Sequence, residues 1–267
     1  MNRLIYATLT FILLGGFSFA QEEKKDDAKK QSKKNKNLPI KADRFFELNT
    51  DTGTWISLDV SPDGSTIVFD MLGDIYSIPI NGGEAKRITK GMAYDSHPRF
   101  SPDGNSIVYT SDKSGNVNVW TRDLDTKDSL QITKGKDNQT AFADWSKDGD
   151  YIIASTGFRN LKLHMYHKEG GSGVQLVGEP SSLKIVQPAV SHDDRYIWYA
   201  ERRNSWQYNA SFPQYQISKY DRETGETKRE TSRFGSAFTP TLSPNGKWLV
   251  YGTRFEDKTA LRIRDLK

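Results

Sequence analysis

One four-residue turn recurs five times along this chain, and its spacing restricts the fold more than any other feature. The copies are Ser61-Pro62-Asp63-Gly64, Ser101-Pro102-Asp103-Gly104, Ser146-Lys147-Asp148-Gly149, Ser191-His192-Asp193-Asp194 and Ser243-Pro244-Asn245-Gly246, separated by 40, 45, 45 and 52 residues. A period in the forties fits one four-stranded blade of a radial sheet array. The residue types suit the turn. Proline presets φ at the second position, Asp or Asn bonds the local backbone, and glycine accepts a positive φ. The fourth copy carries Asp194 in the glycine position. Aspartate tolerates the left-handed region better than most residues, so that turn is expected to survive.

An apolar run follows each turn: Ile67-Val68-Phe69, Ile107-Val108-Tyr109, Tyr151-Ile152-Ile153-Ala154, Tyr196-Ile197-Trp198-Tyr199 and Trp248-Leu249-Val250-Tyr251. The runs are apolar at consecutive positions, the pattern of a strand covered on both faces. A more polar strand precedes each turn, and three of these carry a proline at Pro98, Pro188 and Pro240. Proline belongs on an edge strand, where its missing N–H costs no ladder bond. The strand before the turn is therefore predicted to be innermost in its blade, and the apolar strand second. Third strands are expected near Ile75–Ile78, Val117–Trp120, Leu161–Tyr166, Gln216–Tyr220 and Leu261–Ile263. Outer strands are expected over Ala85–Thr89, Leu130–Thr133, Val174–Val177 and Glu226–Thr231. The fold class is all-β: a β-propeller of four-stranded antiparallel blades, with five repeats present and the last lacking an outer strand. Phe45-Phe46-Glu47-Leu48 has the look of an outer strand. Two arrangements remain open: a complete five-bladed ring closed by that segment, or an open piece of a longer propeller truncated at the C-terminus, which would expose two apolar faces and self-associate.

The chain divides into residues 1–20, a charged linker over 21–42, and the propeller over 43–267. In the first part Arg3 precedes the apolar run Leu4–Phe17, and Ser18-Phe19-Ala20 offers small residues to a signal peptidase. The apolar run is too short for a membrane span, so a cleaved secretory signal is expected, with no transmembrane span afterwards. No cysteine lies near Ala20, which argues against a lipid anchor, and none occurs anywhere, so the exported fold must stand without disulfides. The destination is periplasmic or extracellular. The net charge of +4 sits in Arg3 and in the lysine-rich stretch Gln21–Asn37, leaving residues 38–267 neutral in sum. A nucleic-acid-binding domain would carry the excess on its folded part, so nucleic acid is not expected as a partner. The linker composition is that of a disordered spacer.

The repeats resemble the TolB-like, WD-like propeller repeats of secreted bacterial proteins. Within that group the chain is most similar to the N-terminal propeller of exported amidohydrolase-family proteins, on Gly53-Thr54-Trp55-Ile56-Ser57-Leu58-Asp59-Val60, Leu72-Gly73-Asp74-Ile75-Tyr76, Met165-Tyr166-His167-Lys168-Glu169-Gly170-Gly171 and Asp221-Arg222-Glu223-Thr224-Gly225. The resemblance implies a metal-dependent hydrolase barrel beyond the propeller, with a divalent metal, zinc, held there and no cofactor in this chain. The barrel's His-x-His pair does not occur here, so no catalytic or metal-ligating residue is assigned. Two other readings follow from related propellers: a TolB-like periplasmic interaction scaffold, and the propeller of a prolyl-oligopeptidase-like serine peptidase, whose Gly-x-Ser-x-Gly elbow is absent. The expected partner is the chain's own further domain or another protein.

Inside the chain, chemistry-bearing residues do not converge. His164 and His167 are three apart on a predicted strand and face opposite sides. Ser191, His192 and Asp193 are triad types, but sequential neighbours do not form a triad. His97 is a candidate channel-lining residue. Asp123 and Asp125 suit turn chemistry better than a cation site. Gly170-Gly171-Ser172-Gly173 lacks the lysine and helix of a phosphate loop. The insertion from Arg202 to Pro213 lengthens the fourth repeat, and its aromatic residues Trp206, Tyr208 and Phe212, with Tyr215 just beyond, are the candidate partner-contact loop.

Overall fold

In a computed structural model the chain is described at residue 44 and over residues 47–135, 139–203 and 214–267. The secretory segment and the linker lie outside the described residues, as do Trp206, Tyr208 and Phe212. No described helix is long and apolar enough to cross a membrane.

The repeats form five antiparallel sheets. Blade one comprises β1 (Leu58–Val60), β2 (Thr66–Met71), β3 (Asp74–Pro79) and β4 (Lys86–Arg87). Blade two comprises β5 (Asp95–Phe100), β6 (Ser106–Ser111), β7 (Asn118–Asp123) and β8 (Ser129–Gln131). Blade three comprises β9 (Gln139–Trp145), β10 (Tyr151–Gly157), β11 (Lys162–His167) and β12 (Val174–Val177). Blade four comprises β13 (Lys184–Val190), β14 (Tyr196–Arg202), β15 (Gln216–Asp221) and β16 (Thr227–Arg229). Blade five has three strands, β17 (Phe238–Leu242), β18 (Trp248–Phe255) and β19 (Lys258–Asp265). Every blade runs in sequence order from the axis outward, so the strand before each turn is innermost, as its prolines predict.

The second strands show why stacking is needed. β6, β10 and β14 are buried at nearly every consecutive position. β2 alternates between buried and half-buried, and β18 ends exposed. Middle blades have a neighbour on each side, while the first and last have one. Between blades lie apolar cores. Val108, Ile132, Trp145 and Tyr166 share one. Val177, Leu183, Ile197 and Tyr199 share the next. On the uncovered faces Leu58 is 52% exposed, and Leu261 and Ile263 of β19 are 78% and 66% exposed. Glu47 and Leu48 belong to no strand, so the outer strand expected at 45–48 is not seen in its described part.

The three prolines sit where the edge-strand argument puts them, with an added feature. Each falls in a β-bulge of the innermost strand, between Ser96 and Arg99, Val186 and Ala189, and Phe238 and Thr241. The preceding residues His97, Gln187 and Thr239 take φ of 56°, 56° and 52°. A residue before proline ordinarily stays extended, so tertiary contacts must hold these. The amide of His97 donates to Asp70 Oδ2 of blade one at 2.7 Å, and that of Thr239 to Gln187 Oε1 of blade four at 2.8 Å.

Candidate functional site: the channel mouth and its turns

All five predicted turns adopt one geometry. In the third, Ser146 Oγ donates to Asp148 Oδ1 at 2.5 Å and accepts the Tyr151 amide at 2.8 Å. The Gly149 amide donates to the Ser146 carbonyl at 3.0 Å. Ser61 with Asp63, Ser101 with Asp103, Ser191 with Asp193 and Ser243 with Asn245 repeat the side-chain bond at 2.5 to 2.7 Å. The serine hydroxyl thus closes the hairpin in place of a ladder bond. Gly64, Gly104, Gly149 and Gly246 have φ between 66° and 76°, and Asp194 has φ of 60°. Asp194 retains a side chain that ion-pairs with Arg222 and accepts the Lys147 amide at 3.1 Å. The hydroxyl bonds hold the turn carboxylates low: Asp63 falls to about 2, with Ser61 the main cause, and Asp103, Asp148 and Asp193 are lowered by Ser101, Ser146 and Ser191.

The turns surround a cavity of about 450 Å³ touched by the innermost strand of every blade. Pro62, Pro102 and Pro244 of the turns form its rim with Gly64, Ser101, Lys147 and His192. Two residues before each turn serine the chain points inward with Asp59, Arg99, Asp144, Ala189 and Thr241. Asp59 Oδ2 accepts the Phe100 amide at 2.8 Å, and Arg99 Nη1 stands 3.5 Å from Asp59 Oδ1. Asp144 Oδ2 accepts the Val190 amide at 2.9 Å. Burial raises the Asp59 carboxyl above the ordinary range, against the opposing pull of Arg99 and the Phe100 amide. The mouth is a depression of mixed character, lined by prolines and other apolar side chains around carboxylates that already hold backbone amides.

The remaining sequence candidates stay apart. His97 does not line this cavity; its ring packs edge-on against Phe142 at 4.5 Å, and burial lowers its pKa. His164 stacks on Tyr166 and His167 meets Tyr151 edge-on. Asp123 Oδ1 accepts the amides of Asp125 and Thr126 at 2.9 and 2.7 Å, which is the turn role. Among the described residues no group of three or more His, Asp or Glu is placed to hold a metal. Of the partner-contact loop only Tyr215 is described; it is half-buried and its amide donates to Ser236 Oγ at 3.2 Å.

Two periodic devices escaped sequence reasoning. Thr89, Thr133 and Thr231 each stand two residues beyond an outer strand and accept the amide of Ile75, Val119 or Ile217 at 2.8 to 2.9 Å. Asp59 and Asp144 each reach one blade onward. Both devices hold a fixed offset within the repeat, which is the signal that could have revealed them.

The family model for the tricorn protease N-terminal beta propeller domain matches residues 57–216. The chain belongs to that family. Among relatives of this tricorn-type propeller, an uncharacterized protein of Agrobacterium fabrum, Atu1656, is 32% identical over 101 residues, 35% of this chain and 33% of that protein. Tricorn protease homolog 1 of Streptomyces coelicolor is 28% identical over 36% of this chain and 9% of its own length. The Tol-Pal system protein TolB of Bordetella pertussis is 41% identical over 59 residues, 22% of this chain and 14% of that protein. The matched stretches thus span a third or less of these relatives. Among solved structures, TolB from Acinetobacter baumannii superposes with a TM-score of 0.61 at 25% identity, covering 79% of this chain and 51% of that one. A protein provisionally described as TolB from Agrobacterium tumefaciens has the same fold, with a TM-score of 0.67 at 19% identity over 79% of this chain and 76% of that one. The expected resemblance to TolB-like propellers is borne out. None of these relatives bears the name of an amidohydrolase, and that narrower resemblance is not supported by them.

Proposed function

We propose that this chain is an exported protein-binding propeller module whose channel mouth receives a segment of a partner protein. The observation that carries the reading is the cavity bordered by all five innermost strands, rimmed by rigid turns and open at the turn end. Likeness to a Tol-Pal system protein supports a protein as partner. The secretory pattern of residues 1–20 supports export. A second reading is favoured by the family match itself: the propeller of a larger peptidase, in which the same mouth faces a catalytic domain. A photo-crosslinking residue at Lys147, on the rim, tests the proposal in the source organism, with Lys228 of the exposed strand β16 as control. A discrete protein adduct from position 147 and none from 228 is expected. Equal labelling at both, or none at 147, overturns the proposal.

A further inference from the structure

The four junctions between blades place two equivalent side chains opposite each other, one from an outer strand and one from the next blade's third strand. At the second junction Ile132 shares a core with Tyr166, and at the third Val177 shares one with Tyr220. Both junctions are sealed by apolar contact. At the fourth junction the pair is charged: Glu230 meets Arg264 Nη1 at 3.2 Å and also Lys219 Nζ at 3.3 Å. At the first junction the register brings Ile88 to the Glu230 position and Arg122 to the Arg264 position, since Ile88 and Glu230 each donate an amide to the third-strand residues Ile75 and Ile217, and Arg122 and Arg264 each pair across from the second-strand residues Ile107 and Leu249. Here an arginine faces an aliphatic side chain.

The consequence is an open cleft of about 770 Å³ between blades one and two, lined by Lys86, Lys90, Arg122 and Lys127 among others. Among the described residues the three lysines make no ion pair. Arg122 Nη1 donates to Ser129 Oγ at 3.2 Å, but its Nε is buried with no partner. Arg87 also lines the cleft and is paired with Asp74. Asp63 and Asp103 border it with carboxylates engaged by their own turns. A buried guanidinium N–H without an acceptor is costly. At the fourth junction the equivalent arginine is met by a glutamate: Arg264 Nη1 donates to the Glu230 carbonyl at 3.2 Å and stands 3.2 Å from the Glu230 carboxylate.

We infer that the cleft between blades one and two is a binding site for an acidic peptide segment, one of whose carboxylates pairs with Arg122 as the Glu230 carboxylate pairs with Arg264 at the fourth junction. The site adjoins the channel mouth, with which it shares Ser61, Pro62 and Phe100, but it opens between two blades and its test does not depend on that reading.

Fluorescence anisotropy of a fluorescein-labelled hexaglutamate with the full chain at low salt reads this directly. Lys127→Glu, on the exposed lip, and Arg122→Gln are each expected to weaken binding at least about tenfold with thermal melting retained. Ile88→Glu supplies the carboxylate from within and is expected to abolish binding. Lys228→Glu, at the fourth junction, is expected to leave it unchanged. Unaltered binding in folded Lys127→Glu and Arg122→Gln, or an equal loss in Lys228→Glu, overturns the inference. Displacement of the peptide by equimolar inorganic phosphate does so too, since it would mark a free oxyanion site.

Discussion

The carboxylate of Asp144, on the innermost strand of the third blade, accepts a hydrogen bond at 2.9 Å from the amide of Val190 on the innermost strand of the fourth. Asp59 does the same one repeat earlier, taking the Phe100 amide across the junction of blades one and two at 2.8 Å. Blade two has Arg99 at this position, which has no acceptor, and it turns back to Asp59. These side chains tie neighbouring blades at the axis.

Asp144→Ala is expected to lower stability by about 1–3 kcal/mol, because the Val190 amide loses its acceptor. Urea unfolding measures it. Asp144→Asn keeps a carbonyl oxygen in reach and should recover most of the loss; if both variants unfold like the parent, the bond contributes nothing.

Gly149 stands in the left-handed region at φ 76°, and a Cβ there would meet Pro102 at no closer than 3.8 Å. Gly149→Ala therefore isolates backbone strain from steric overlap, with an expected cost of about 1–2 kcal/mol. Asp194→Gly relieves the same strain in the fourth turn but removes the Arg222 ion pair and the Lys147 acceptor. No net gain in melting temperature is expected from it.

Stability should rise slightly and then fall as pH drops from neutrality. Burial raises the carboxyls of Asp59, Asp74 and Asp95 above their unfolded value near 3.8, so the folded state takes up their protons first and gains stability down to that value. The turn carboxylates act in the opposite sense. Asp63, lowered to about 2, and Asp103, Asp148 and Asp193, also lowered, contribute stability above pH 3.8 that is lost as pH falls through their folded values. Urea midpoints across pH 2–7 check this. Asp148→Asn should flatten the acid limb, and Asp95→Asn the upper one.

The exposed Leu261 and Ile263 of β19 lie on one face of the sheet, opposite Gly252 and Val250 of β18. Concentration-dependent self-association is expected in sedimentation velocity. The double variant Leu261→Lys, Ile263→Lys should reduce it without a change in far-UV circular dichroism.

The blades were legible because their determinants are local and repeat. A Ser-Pro-Asp-Gly turn and a doubly apolar run specify a hairpin whatever lies around it, and even Asp194 in the glycine position could be read from side-chain chemistry. The prolines marked the innermost strand for the same reason. Their bulges were not legible: the positive φ of His97 and Thr239 is sustained by Asp70 and Gln187. Those acceptors lie 27 and 52 residues away in the chain.

Sequence alone determined the number of repeats, the turn geometry and the order of strands within a blade, since each depends on residues within one period. Only the tertiary structure decided what meets across a junction. Whether Arg122 faces a glutamate, a valine or Ile88 depends on side chains brought together from different repeats. It is this pairing between repeats, with burial removing water as the alternative partner, that seals some junctions and leaves one open.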